Sequence, residues 1–81
     1  MEDLNKFYEE SLNFNWDMLS ENPNYYIELQ SVSTFQKIDE LYDMLIYFME
    51  RSEFEKCEII NSNLTKLISI HRNELKEKGM L

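Results

Sequence analysis

The 81-residue chain contains one cysteine, one histidine, one proline and one glycine. With Cys57 alone, no intramolecular disulfide can form, and a single cysteine with a single histidine excludes a zinc site of ordinary Cys/His spacing. Pro23 and Gly79 are the only strong breaks in backbone preference, a composition suited to helices joined by short connections. Basic residues are also scarce. Eight Lys and Arg face sixteen Asp and Glu, and the resulting net charge of −8 opposes direct binding to nucleic acid or anionic lipid. No apolar run approaches the roughly 18 residues of a membrane span. Met1-Glu2-Asp3-Leu4 lacks the basic start of a secretion signal, so a cytoplasmic location is expected and Asn63-Leu64-Thr65 is set aside as a glycosylation acceptor.

Large apolar side chains are present in quantity. Hydrophobic residues make up 43% of the chain, including five Phe, five Tyr and one Trp, which is ample for a core and unlike a disordered segment. The length fits one domain covering residues 1–81. A core this small supplies about 3–5 kcal/mol, and with disulfide and metal excluded, a second subunit is the remaining way to reinforce it.

The apolar spacing predicts an all-α fold, either a small three-helix bundle or a helical hairpin plus an N-terminal helix, with a dimer as an option. Helices are expected at about 3–19, 34–50 and 53–78. In the first, Leu4, Phe7, Tyr8, Leu12, Phe14, Met18 and Leu19 recur at helical spacing, and Ser20-Glu21-Asn22-Pro23-Asn24 ends the pattern. Tyr25, Ile27 and Leu29 then alternate with more polar neighbours as in a short strand. A lone strand leaves backbone groups unpaired, so the preferred reading of 24–32 is an extended or irregular linker, ahead of a helical turn and of pairing with another chain.

Ser33-Thr34-Phe35-Gln36 has the form of a capping box, and a helix should start there. Its stripe of Phe35, Ile38, Tyr42, Leu45 and Met49, widened by Leu41 and Phe48, marks it as the most buried helix by pattern. Ser52-Glu53-Phe54-Glu55 repeats the capping form. A turn near residues 51–52 and a hairpin are therefore preferred to one rod from Thr34 to Lys78. The third helix carries Phe54, Cys57, Ile60, Leu64, Leu67 and His71 in near-heptad spacing, and Gly79 is placed to terminate it.

His71, the only imidazole, lies on that apolar seam. Cys57 is fourteen residues away, about 21 Å along a straight helix, too far for a nucleophile–base pair. No catalytic residue, metal site or cofactor is assigned, and the chain is read as a non-enzyme. The acidic excess lies in residues 1–60, where fourteen acids face four bases, while residues 61–81 hold two acids and four bases. A protein partner with a basic surface is expected to meet the first two-thirds of the chain. Because Trp and Tyr serve well as binding anchors, the candidate contact set is Trp16, Asp17, Glu21, Tyr25, Tyr26, Glu28, Asp39 and Asp43. Ile60, Leu64, Leu67 and His71 form the candidate homodimer seam.

Residues 35–71, a helix, a turn and a second helix through Leu64-Thr65-Lys66-Leu67-Ile68, resemble in layout the helical-hairpin aspartyl-phosphate phosphatases of sporulating bacteria. That family carries Ser, Gln and Asp ahead of Leu-Ile. Here Asn61, Ser62 and Thr65 occupy those positions, so the phosphatase motif is absent. In size, acidity and helicity the chain also resembles small immunity and phage-encoded inhibitor proteins, and that likeness implies a regulator or inhibitor that blocks a target protein. Two alternatives stand beside it: a DNA mimic occupying a nucleic-acid-binding protein, and a homodimeric scaffold subunit.

Overall fold

A computed structural model of the chain describes residues 2–79, with side chains from residue 6 onward, and among these the regular structure is all α-helical. Five helices follow in order: α1 (Glu2–Glu21), α2 (Tyr25–Glu28), α3 (Thr34–Glu50), α4 (Phe54–Ile70) and α5 (Arg72–Glu77). The α3–α4 hairpin forms the centre, and α1, α2 and α5 pack on it.

The break after α1 follows from Asn22 and Pro23. The residue before a proline avoids the helical region, and the Asn22 side chain accepts from the Asn24 N–H at 3.0 Å in an Asx-type turn while its amide donates to Glu28 at 3.1 Å. The segment expected to be extended instead makes a single helical turn at α2. In this form the N–H groups of Glu28 and Leu29 donate to the carbonyls of Asn24 and Tyr25 at 2.8 and 3.0 Å, so they need no neighbouring strand. The turn also points Tyr26 inward, where it is fully buried. Residues 29–33 are irregular.

Ser33 caps α3 as its sequence suggests, its hydroxyl accepting from the Gln36 N–H at 3.2 Å. The second capping signal is resolved differently. Ser52 serves the end of α3 and not the start of α4: it adopts the left-handed conformation at φ 57°. Its N–H donates to Met49 at 3.1 Å, and the Glu53 N–H donates to Phe48 at 2.9 Å. These two bonds make a Schellman motif that satisfies carbonyls left open at the α3 terminus. The same turn reverses the chain, so the hairpin and not the rod is formed.

Along the hairpin, Ile38, Leu41, Met44 and Phe48 of α3 meet Cys57, Ile60, Leu64 and Leu67 of α4 in one buried cluster, which Leu12 and Leu19 of α1, Tyr26 of α2 and Leu75 of α5 complete. The expected third helix is divided at His71, whose φ of −104° and ψ of 22° depart from helical values. Hydrogen bonding continues across the bend, from His71 to Leu67 at 3.1 Å and from Leu75 to His71 at 2.9 Å. The redirected α5 buries Leu75 and brings Glu74 to the start of α3, where it accepts from the Thr34 hydroxyl at 3.3 Å and lies 3.2 Å from His71 Nδ1. Gly79, at φ 76°, ends α5 as expected.

Candidate protein-binding surface

The expected seam residues Ile60, Leu64 and Leu67 are buried against the chain's own helices. That corrects their assignment to a homodimer: the near-heptad spacing is used up within one molecule, and nothing of these side chains is left for a second copy. His71 stays half-buried and is held by Glu74. The Thr34 hydroxyl donates to the carboxylate and not to the imidazole, so the group acts as a clasp between α3 and α5.

The aromatic members of the expected contact set also turn inward. Tyr26 is 0% exposed, which removes it from any surface. Burial pushes its hydroxyl far above the usual tyrosine value, and the nearby Glu40 carboxylate adds to the shift. Glu40 lies outside good hydrogen-bonding geometry, and the hydroxyl has no partner among the described residues. Tyr25 packs edge-on against Tyr26 at 5.1 Å, and Trp16 edge-on against Phe48 at 5.5 Å, both half-buried at the border of the core. The acids Asp17, Glu21, Glu28, Asp39 and Asp43 are exposed, unlike the rings they were grouped with.

The exposed apolar groups are others. On α3, Tyr42, Ile46 and Met49 are 47, 53 and 52% exposed, although the pattern marked this helix as the most buried. The correction is geometric. These residues stand at i, i+4 and i+7, one line on a helix, turned about a quarter-turn or more from the line of Leu41, Met44 and Phe48 that faces the core. Phe54, 63% exposed at the start of α4, extends the line across the hairpin. Leu45, Met49, Phe54, Cys57, Glu58 and Asn61 enclose a shallow depression of about 290 Å³ between the two helices. A separate line, Phe7 and Phe14, runs along the outside of α1. The missed signal was the width of the α3 pattern, since apolar residues round most of a helix exceed what one packing contact can cover.

Acids accompany the α3 line. Asp39, Asp43 and Glu50 are spaced i, i+4 and i+11 beside Tyr42 and Ile46, and all three are exposed. The Tyr8 hydroxyl is raised from its ordinary value by partial burial and then by Asp43 and Glu50, which places the first half of α1 alongside this acidic edge. The two cations of this region are each held by the chain's own rings and carboxylates. Arg51 stacks 3.6 Å over the Tyr47 ring and pairs with Glu9 at 3.3 Å, while Lys56 pairs with Glu53 at 3.1 Å and sits 4.6 Å from the Phe48 ring.

Among the described residues, no group of three His, Cys, Asp or Glu side chains is placed to hold a metal ion, and no helix is long and apolar enough to cross a membrane. The architecture is that of a small all-α bundle. No protein-family model matches the chain, and comparison with curated proteins and with solved structures gives no match.

Proposed function

We propose that this chain is a protein-binding regulator or inhibitor that docks through the outer face of α3 and the start of α4. The observation that carries this reading is the line of Tyr42, Ile46, Met49 and Phe54, four large apolar side chains each about half exposed or more and flanked by carboxylates. Apolar groups scattered singly over a surface need no explanation, whereas a contiguous patch rimmed by polar residues marks an interaction site. The acidic regulator expected from composition thus keeps its charge but exchanges its anchors: Tyr42, Ile46, Met49 and Phe54 take the place of Trp16, Tyr25 and Tyr26.

The test is capture with two baits, the native chain and the Ile46→Ser/Phe54→Ser double variant. Because both side chains are exposed, the variant should keep its helical circular dichroism and its melting temperature. A target retained by the native chain and lost by the variant supports the reading. Identical retention by both refutes it.

A further inference from the structure

Resting on that reading, we infer that the occupant of the α3–α4 face is a basic amphipathic helix of the partner protein. The shape comes first. From Tyr42 to Met49 the line spans seven residue steps, about 10 Å along the axis, and Phe54 extends it past the turn. A linear apolar strip beside a shallow interhelical depression is what an amphipathic helix lays its i, i+3, i+4 and i+7 side chains into. The depression has apolar walls in Leu45, Met49 and Phe54, with Cys57 at its base.

Charge then selects the helix. Residues 38–61 hold seven acids and two bases, and both bases are engaged by rings and carboxylates of the chain itself: Arg51 by Tyr47 and Glu9, Lys56 by Phe48 and Glu53. Five exposed carboxylates accompany the strip, Asp39, Asp43 and Glu50 along α3 and Glu55 and Glu58 on α4, so acids outnumber bases around it. A second copy of the chain would bring an identical acidic rim and a net charge of −8 against this one, so like-charge repulsion opposes an isologous dimer on this face. An anionic lipid surface is opposed for the same reason. A helix with Lys and Arg flanking an apolar stripe satisfies both features at once.

The probe is a fluorescein-labelled 18-residue peptide with leucines at i, i+3, i+4 and i+7 and lysine or arginine on its flanks. Two controls accompany it, one with the same composition scrambled to destroy the stripe and one with the basic residues replaced by glutamate. Fluorescence anisotropy against the full chain should give saturable binding of the basic amphipathic peptide alone. Ile46→Ser combined with Phe54→Ser should weaken it about tenfold or more, as loss of central anchors does. Phe14→Ser on the outside of α1 should leave it unchanged. Asp43→Asn with Glu50→Gln should weaken binding and flatten its dependence on salt.

Equal binding of the scrambled or the glutamate peptide overturns the inference, as does an equal effect of Phe14→Ser, or a dimer in sedimentation that Ile46→Ser dissociates. Failure of the peptide to bind, in a protein whose captured target still depends on Ile46 and Phe54, overturns the basic helix and leaves the protein-binding reading standing.

Discussion

The α3–α4 hairpin and α1 are both long, both amphipathic and nearly equal in helix length, yet they hold their apolar residues in different ways. The hairpin buries Ile38, Leu41, Met44 and Phe48 against Cys57, Ile60, Leu64 and Leu67, so each helix is the other's main cover. Among its described side chains, helix α1 commits only Leu12 and Leu19 fully, with Trp16 at the border, and every one from residue 6 to residue 11 is exposed. Two helices joined by a three-residue turn find each other at little entropic cost. A helix separated from the hairpin by residues 22–33, which include the Pro23 turn and α2, must be held by its own contacts, and among its described side chains those lie in its second half.

The sharpest way to break this contrast is to truncate one buried residue on each side of it. Phe48 is buried and in edge-to-face contact with both Trp16 and Tyr47 at 5.5 and 5.1 Å. Phe48→Ala should cost about 3–5 kcal/mol, comparable to the whole stability of a domain this size, so the variant should be unfolded by circular dichroism at room temperature. Leu19→Ala should cost about 2–4 kcal/mol and release α1 before the hairpin. Phe14→Ala, on the same helix but facing out, should change stability by less than about 0.5 kcal/mol in urea titration. A large loss at Phe14 would mean that α1 is packed on both faces, and the contrast would fall.

Tyr26 sharpens the comparison from the side of α2, whose buried hydroxyl has no partner among the described residues. Its folded-state pKa lies above that of the unfolded chain, so the folded state keeps the proton where the unfolded state loses it. Stability is therefore unaffected below about pH 10 and falls above it, by up to about 1.4 kcal/mol per pH unit. Tyr26→Phe should remove that alkaline loss and, by deleting an unpaired polar group, gain about 1 kcal/mol at neutral pH. Thermal unfolding between pH 7 and 11 reads both effects.

The hairpin turn offers a smaller gain. Ser52 occupies the left-handed position that suits glycine, at φ 57°. Ser52→Gly should stabilise by about 0.5–1 kcal/mol, the relief of side-chain strain less the greater freedom of glycine in the unfolded chain. A loss of stability in chemical denaturation would indicate that the serine side chain contributes where no hydrogen bond is seen.

Much of this fold was legible in the sequence because hydrophobic period and capping act locally. The bounds of α3 follow from Ser33 and from the polar Arg51-Ser52-Glu53 step, and the observed helix runs Thr34–Glu50. Residues 24–32 were harder because an eight-residue alternation fits a strand or a single helical turn, and burial of Tyr26 decides between them only once α3 and α4 are in place. The same holds for Ser52, whose capping pattern cannot say which helix it serves, and for His71, where no glycine or proline announces the bend. For the candidate surface, the exposed acids Asp39 and Asp43 could be picked out from the chain. Which aromatics are exposed could not, because Trp16 and Phe54 differ in their neighbours and not in their type.

The smallest effect concerns an ion pair joining α1 to the hairpin turn. Arg51 and Glu9 approach to 3.3 Å with side chains 42 and 52% exposed, and such pairs contribute about 0.2–1 kcal/mol, less as salt rises. Arg51 also stacks on Tyr47 and donates to the Tyr47 carbonyl at 3.1 Å, so its position does not depend on Glu9. Glu9→Gln should therefore lower stability by no more than about 0.5 kcal/mol. Its clearer signature is local: amides of residues 6–11 should exchange faster with solvent while those of residues 38–48 and 57–67 keep their protection, and 0.5 M salt should produce the same pattern in the native chain. Exchange that quickens in the hairpin as well would tie the stability of α1 to the core. In that case the first half of the helix would belong to the cooperative unit and not, as its exposure implies, to a loosely held extension of it.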